Sequence, residues 1–336
     1  MVLHIEDKWV WDFWFAEADD GCHVFFLQAP RSLGDPELRH HSATIGHALL
    51  QPDRSWKVLD DALLPGPPGS WDDLATWTGS VIWDGARWCL LYTGINGAEG
   101  GRVQRIGLAI SEDLLHWEKH RGNPVMEADP RWYEQLSQGR WRDQSWRDPW
   151  VFRHEQAYHA LIAARSRDDR SPFAGVLAHA RSWDLVRWEI MEPLTEPGEF
   201  AQVECPQLVE FEGSITVLFS CLAEDHSPER RRRKGVRCVT GTYAFTAPGL
   251  MGPFRPSDEP VVVVDPFGAQ LYGGKVVERA DGGLAFVAFR SGNGAEFAGD
   301  IIDSVPMTRR ADGRLEVHTA DAVTVRTAQR TDTVPS

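Results

Sequence analysis

The chain is poor in the residues that mark several common chemistries. Its five cysteines (Cys22, Cys89, Cys205, Cys221 and Cys238) form no C-x-x-C pair and no metal-type spacing. Their odd number fits buried thiols in a reducing compartment better than a disulfide framework. The histidines show no paired metal spacing, and His40-His41 reads as a loop pair. No metal and no cofactor is expected. No serine sits in a Gly-x-Ser-x-Gly elbow. The Gly-x-Gly patterns at 97–101 and 292–294 do not follow a strand and open a helix, so no nucleotide site is implied.

Positive charge is also scarce. Against 49 Asp and Glu stand 35 Lys and Arg, a formal net charge of −14. Phosphates would be repelled, which argues against a nucleic-acid partner. No apolar run approaches membrane-spanning length. Residues 1–8 show no basic segment leading into an apolar one. The expectation is a soluble cytoplasmic protein with a small-molecule partner. The sequence leaves its oligomeric state open.

Tryptophan, by contrast, is abundant, with 15 residues. Most suit the core of a β-rich fold. Several stand beside carboxylates, and indole rings stack well on the C–H faces of sugars. A carbohydrate partner is the natural expectation. With 42% hydrophobic and 25% charged residues, the chain is expected to fold around a large core.

One unit occurs five times. Residues 12–15 run through Asp19-Asp20-Gly21 into 23–28. Residues 79–83 turn at Asp84-Gly85 into 88–92. Residues 148–152 turn at His154-Glu155-Gln156 into 158–162. Residues 204–209 turn at Glu212-Gly213 into 215–219. Residues 274–277 turn at Asp281-Gly282-Gly283 into 284–289. Each reads as a β-hairpin. A second pair of strands is expected after each, at 45–49 and 55–59, 106–110 and 111–118, 176–180 and 182–189, 240–244 and 252–254, and 305–308 and 313–317. Residues 111–118 and 182–189 share the pattern Ser-x-Asp-Leu-x-x-Trp-Glu.

Five four-stranded units predict an all-β, five-bladed β-propeller. It would occupy residues 1–320 as a single domain. Residues 321–336 would form a polar tail or closing strand. Residues 65–77, 123–145, 165–174 and 223–235 are candidate rim loops. The basic run Arg230-Arg231-Arg232-Arg233-Lys234 reads as a solvated loop, with an anion contact as the alternative.

The repeat places Asp12, Asp148 and Glu204 just before the first strands of three units. First strands line the channel of a propeller, so the three carboxylates should face one mouth. Held close, they cannot all ionise, and at least one pKa should rise. One protonated and one ionised carboxylate is the pair that glycoside hydrolysis uses. The matching starts of the other units carry Trp77-Thr78-Gly79-Ser80 and Leu271-Tyr272-Gly273-Gly274. These offer rings and hydroxyls to hold a sugar.

Several motifs then resemble one family. Arg147-Asp148-Pro149 and Glu204-Cys205-Pro206 match motifs of glycoside hydrolase family 32, whose clan includes family 68. Trp77-Thr78-Gly79-Ser80, Phe26-Leu27-Gln28-Ala29-Pro30 and Ile45-Gly46-His47-Ala48 are similar to others. So is 113–118 followed by Asn123-Pro124-Val125. The resemblance implies a retaining mechanism on a β-fructofuranoside, without the C-terminal β-sandwich usual in family 32. It implies Asp12 as nucleophile, Glu204 as acid and base, and Asp148, braced by Arg147, as transition-state stabiliser. Gln28, Trp77, Ser80, Cys205 and Tyr272 would contact substrate. So would Trp11, which stands where the family has an amide that touches sugar. Two other readings fit the residues: an inverting arabinofuranosidase- or xylosidase-type propeller, and a catalytically silent sugar-binding propeller.

Overall fold

The computed structural model describes residues 2–211, 214–261, 269–279, 282–292, 296–309, 315–317 and 329–330. Five antiparallel sheets follow one another along the chain. The first holds β1 (Lys8–Ala18), β2 (Gly21–Pro30), β3 (Thr44–Leu50) and β4 (Trp56–Val58). The second holds β5 (Ala75–Trp83), β6 (Trp88–Ile95), β7 (Arg105–Ser111) and β8 (Glu118–Lys119). The third holds β9 (Trp146–His154), β10 (Ala157–Arg165), β11 (Gly175–Ser182) and β12 (Trp188–Ile190). The fourth holds β13 (Glu204–Phe211), β14 (Ser214–Cys221), β15 (Gly241–Ala247) and β16 (Arg255–Pro256). In the fifth, β17 (Gln270–Glu278) pairs with β18 (Leu284–Gly292), which pairs with β19 (Asp300–Ile301) and β20 (Val305–Arg309). The latter pairs with β21 (Leu315–Val317).

The first strands close a ring. β1 touches β5, β5 touches β9, β9 touches β13, β13 touches β17, and β17 returns to β1. This is a five-bladed β-propeller. No β-sandwich follows the fifth blade among the described residues. Apolar side chains fill the gaps between blades; Trp14, Phe13, Phe25 and Phe26 are fully buried. No helix among the described residues is long and apolar enough to cross a membrane. All five cysteines are free.

The expected fourth strands at 111–118 and 182–189 prove to be turns, with strand only at β8 and β12. The shared sequence pattern explains why. Asp113 Oδ1 accepts from the backbone N–H of Leu115 and His116, and Asp184 Oδ1 from Val186 and Arg187. Leu114 and Leu185 adopt left-handed φ of 63° and 61°. Trp117 and Trp188 then donate Nε1–H to the carbonyls of those leucines, each at 2.9 Å. Side chains that capture nearby backbone amides compete with strand pairing. The third hairpin lacks a glycine, and Glu155 takes the left-handed turn position, with φ 53°.

The turn at Glu212-Gly213, Asp281, Asn293-Gly294 and Gly313 lie outside the described residues. So does the expected tail at 321–336, except Gln329–Arg330. These form β22, which pairs in parallel with Lys57 and Val58 of the first blade.

One buried ion pair holds the connection before blade three against β10. Arg165 and Glu134 are 1% and 3% exposed and 2.8 Å apart. Arg165 also donates to the carbonyl of Ala201 at 2.6 Å. Removing one partner strands a buried charge. Glu134→Ala is therefore expected to destabilise the fold by about 3–5 kcal/mol. A lower urea midpoint in chemical denaturation checks it.

Candidate active site

Every first strand breaks register at the same level. The shifts fall between Trp11 and Phe13, Trp77 and Gly79, Arg147 and Trp150, Glu204 and Gln207, and Tyr272 and Lys275. A β-bulge inserts unpaired residues and re-aims a side chain. The first residues of the bulges are Asp12, Thr78, Asp148, Cys205 and Gly273. Four have left-handed φ: 27° at Asp12, 58° at Asp148, 52° at Cys205 and 63° at Gly273. A non-glycine residue there costs roughly 1–3 kcal/mol, a strain often found at functional sites. At Gly273 a side chain would meet the Phe289 ring at 2.8 Å and Asp12 Oδ1 at 3.3 Å. Glycine leaves room for the carboxylate.

The residues just before the bulges form a second ring: Trp11, Trp77, Arg147, Glu204 and Tyr272. Both rings, apart from Gly273, line one cavity of about 950 Å³. Asp12 lies between two donors, with Cys205 Sγ at 3.3 Å and Thr78 Oγ1 at 3.0 Å. Asp148 accepts the backbone N–H of Cys205 at 3.0 Å, and Arg147 Nε lies 3.9 Å from it. Glu204 is held from two sides. Arg147 donates to Oε1 at 2.6 Å and the Tyr272 hydroxyl to Oε2 at 2.5 Å. Arg147 is itself fixed by the side-chain carbonyls of Gln104 and Gln202. Beneath, buried Lys275 donates to the carbonyls of Cys205 and Pro206.

The charges divide unevenly. Burial pushes Asp12 above the usual carboxylate range, and the Glu204 charge adds to this. Burial raises Asp148 to about 7, with help from Asp12 and Glu204 and against the pull of Arg147. Burial would raise Glu204 too, but the Arg147 charge and the bonds from Tyr272 and Arg147 outweigh it and hold it low. The free cavity thus favours the proton on the aspartates and the charge on Glu204.

A ring of three carboxylates on a five-bladed propeller narrows the family, and sequence comparison settles it. Residues 18–289 match the glycosyl hydrolases family 32 N-terminal domain. The chain belongs to glycosyl hydrolase family 32. No curated protein matches it. Solved structures share the fold at low identity. Inulosucrase from Halalkalicoccus jeotgali bound to kestose is 22% identical, with a TM-score of 0.75 over 98% of this chain and 92% of that one. Bacillus subtilis levansucrase is 14% identical, with a TM-score of 0.71 over 97% and 89%. The family 32 β-fructofuranosidase of Bombyx mori is 20% identical, with a TM-score of 0.66 over 95% of this chain but 61% of that one.

This family 32 propeller brings eight of the ten expected site residues together around the cavity: Trp11, Asp12, Trp77, Arg147, Asp148, Glu204, Cys205 and Tyr272. Gln28 and Ser80 do not line it. The Gln28 amide is buried inside the first blade, donating to Asp61 at 2.6 Å and Thr44 at 3.3 Å. Ser80 lies past its bulge and faces the next blade, donating to the Pro149 carbonyl at 2.7 Å and accepting from Val151 N–H. The carboxylates also sit differently from the expectation. Asp12 and Asp148 lie within their strands, and Glu204 is one place before its bulge, in register with Arg147. The match to the family begins at residue 18, beyond Asp12.

Several lining residues escape sequence reasoning. Arg39, His40, Gln104, Arg142, Glu224 and Phe297 all reach the cavity. His40, expected as half of a loop pair, offers its carbonyl to Trp77 Nε1–H at 2.7 Å, and its ring meets Trp11 in a T-shaped contact at 6.3 Å. The only sequence signal was the helix start Asp35-Pro36, which caps a short 3-10 helix at 36–41. The basic run is not a free loop. Arg230 is fully buried between Phe200 and Tyr243, and pairs with Glu199 at 3.1 Å. Arg233 also pairs with Glu199, and Arg232 with Glu229.

Proposed function

We propose that the protein is a retaining glycosidase or transglycosidase acting on a β-fructofuranoside. The observation that carries this reading is the opposition of two differently held carboxylates. Asp12 is lifted into the cavity by its bulge, and Glu204 is clamped by Arg147 and Tyr272. A cavity of about 950 Å³ has room for a short oligosaccharide.

In this mechanism Asp12 attacks the anomeric carbon as Glu204 gives its proton to the leaving oxygen. A covalent glycosyl–enzyme ester forms on Asp12. Glu204 then takes a proton from water or an acceptor alcohol, which attacks the anomeric carbon and frees Asp12. Asp148 faces the positive charge that develops on the ring. Trp11 and Trp77 offer ring surface to the sugar, and Arg147 and Tyr272 hold Glu204 in place.

The working form carries one proton, on Glu204. In the resting cavity burial favours that proton on the aspartates, so the productive arrangement needs it moved to Glu204 within a coupled cluster. As pH rises through the raised pKa of Asp148, about 7, the cluster loses a proton, and Glu204 shares fewer protons with the aspartates. We expect kcat/KM to fall as pH rises through about 7. Tyr272→Phe removes a bond that favours ionised Glu204 and should move this limb to higher pH. Asp148→Asn removes a negative neighbour and should move it to lower pH. A pH–rate profile of each variant is the check; limbs that do not move would break the assignment.

The substrate test is a hydrolysis and transfer screen over sucrose, kestose, inulin, levan, sucrose phosphate and aryl arabinofuranosides. Turnover of a fructofuranoside supports the proposal. Turnover of arabinofuranosides alone, or binding without turnover, contradicts it.

A further inference from the structure

A second cavity, of about 880 Å³, lies between blades three and four. β9 passes the catalytic centre at Asp148 and ends at His154, which lines this second cavity. Six residues of strand separate the two, roughly 20 Å at 3.3 Å per residue. The site is therefore distinct from the catalytic one.

Two buried imidazoles form its inner wall. His159 and His179 are 7% and 3% exposed. Their rings are parallel at 5.2 Å, with His159 Nδ1 2.9 Å from His179 Nε2. His159 Nε2 and His179 Nδ1 have no partner among the described residues. Burial lowers the pKa of both rings, which keeps the pair neutral.

The first blade contains the same device in a closed form. His47 faces Phe25 across β2 and β3, as His179 faces Leu161 across β10 and β11. His23 and His159 each stand two residues before that partner. His23 Nδ1 lies 2.8 Å from His47 Nε2. There, however, Asp20, three residues before His23, bonds its Nε2 at 3.0 Å. The equivalent residue in blade three is Gln156, which lines the second cavity and makes no bond to His159. The chain of bonds that a carboxylate ends in blade one is left open toward a cavity in blade three.

We propose that this second cavity binds a neutral sugar, with the His159–His179 pair reading a hydroxyl and Trp183 stacking on a C–H face. The chemistry selects the class. A neutral imidazole pair offers one N–H donor and one lone pair, whichever tautomers it adopts. A hydroxyl is both acceptor and donor and satisfies either arrangement. An anion would need two donors and would face Glu155, Glu192 and Glu196. A cation would need two acceptors. Trp183 is 62% exposed; Arg181 covers one face at 4.8 Å and leaves the other open.

The test is a titration of the full-length Asp12→Asn protein, which should not consume the ligand, with kestose, followed by the indole N–H signals in nitrogen-15 NMR. The choice of kestose rests on the proposed function. Trp11 and Trp77 report the catalytic cavity, and Trp183, assigned by its loss in Trp183→Phe, reports the second site. We expect the Trp183 signal to shift saturably. His159→Phe should weaken the Kd read at that signal by about tenfold, the worth of one hydrogen bond. Gln156→Asp installs the carboxylate of blade one at an exposed position and should weaken it similarly with the fold intact. A Trp183 signal that stays still, whatever Trp11 and Trp77 do, overturns the second site. So does an affinity there that neither variant changes. Stillness of Trp11 and Trp77 alone would count against the catalytic reading instead.

Discussion

Glu204→Gln is expected to lower kcat on sucrose or kestose by about 10²–10⁴-fold, the usual worth of a positioned general acid. The size follows from the geometry. Glu204 is the carboxylate with two strong donors on its two oxygens, Arg147 and Tyr272. Its side chain remains 22% exposed, so it can meet a leaving oxygen. Glutamine keeps the shape and still accepts from Tyr272, but has no proton to give. The loss should shrink on an aryl fructoside, whose leaving group departs without protonation. Equal losses on both substrates would assign Glu204 to binding and not to proton transfer.

Asp12→Asn is expected to have the larger effect, a loss on the order of 10⁴-fold or more, about 5 kcal/mol of transition-state stabilisation. No leaving group relieves it, because the first bond to the anomeric carbon cannot form. The fold should survive the change. Asparagine tolerates left-handed backbone as aspartate does, and Asp12 has φ 27°. Its amide can still meet Thr78 and Cys205, and losing a charge relieves the burial that raises the pKa of Asp12. Unchanged thermal melting with abolished turnover on both substrate types is the expected pair of results.

The fold was legible because the repeat was. Each hairpin carried alternation and turn residues, and these depend on local sequence alone. The carboxylates were legible as a set for the same reason. Their placement was not. Nothing in the alternation around Asp12 or Asp148 announces a bulge, so both were placed before a strand that in fact begins earlier. The bulge also decides which neighbours face the cavity. Ser80 looked equivalent to the sugar-holding residues, but two places past the lip it turns to the next blade. Gln28 sits on a second strand and is consumed by Asp61. Arg39, His40, Arg142 and Phe297 arrive on connections whose course is set by packing. Arg230 shows the same limit: a run of like charges reads as solvated, yet aromatic rings and Glu199 draw one member fully inside.

Trp11 puts a ring where the family has an amide. It is buried, with His40 and Phe297 on its edges and Arg39 5.6 Å above it.

The central claim is a covalent intermediate on Asp12. Rapid quenching of the wild-type protein in acid during turnover of an activated aryl fructoside, followed by peptide mass spectrometry, tests it most directly. The expected result is a fructosyl ester on the peptide that carries Asp12, absent in Asp12→Asn, and a first-formed product that retains its anomeric configuration. An inverted product with no adduct, or an adduct on another carboxylate, would contradict it.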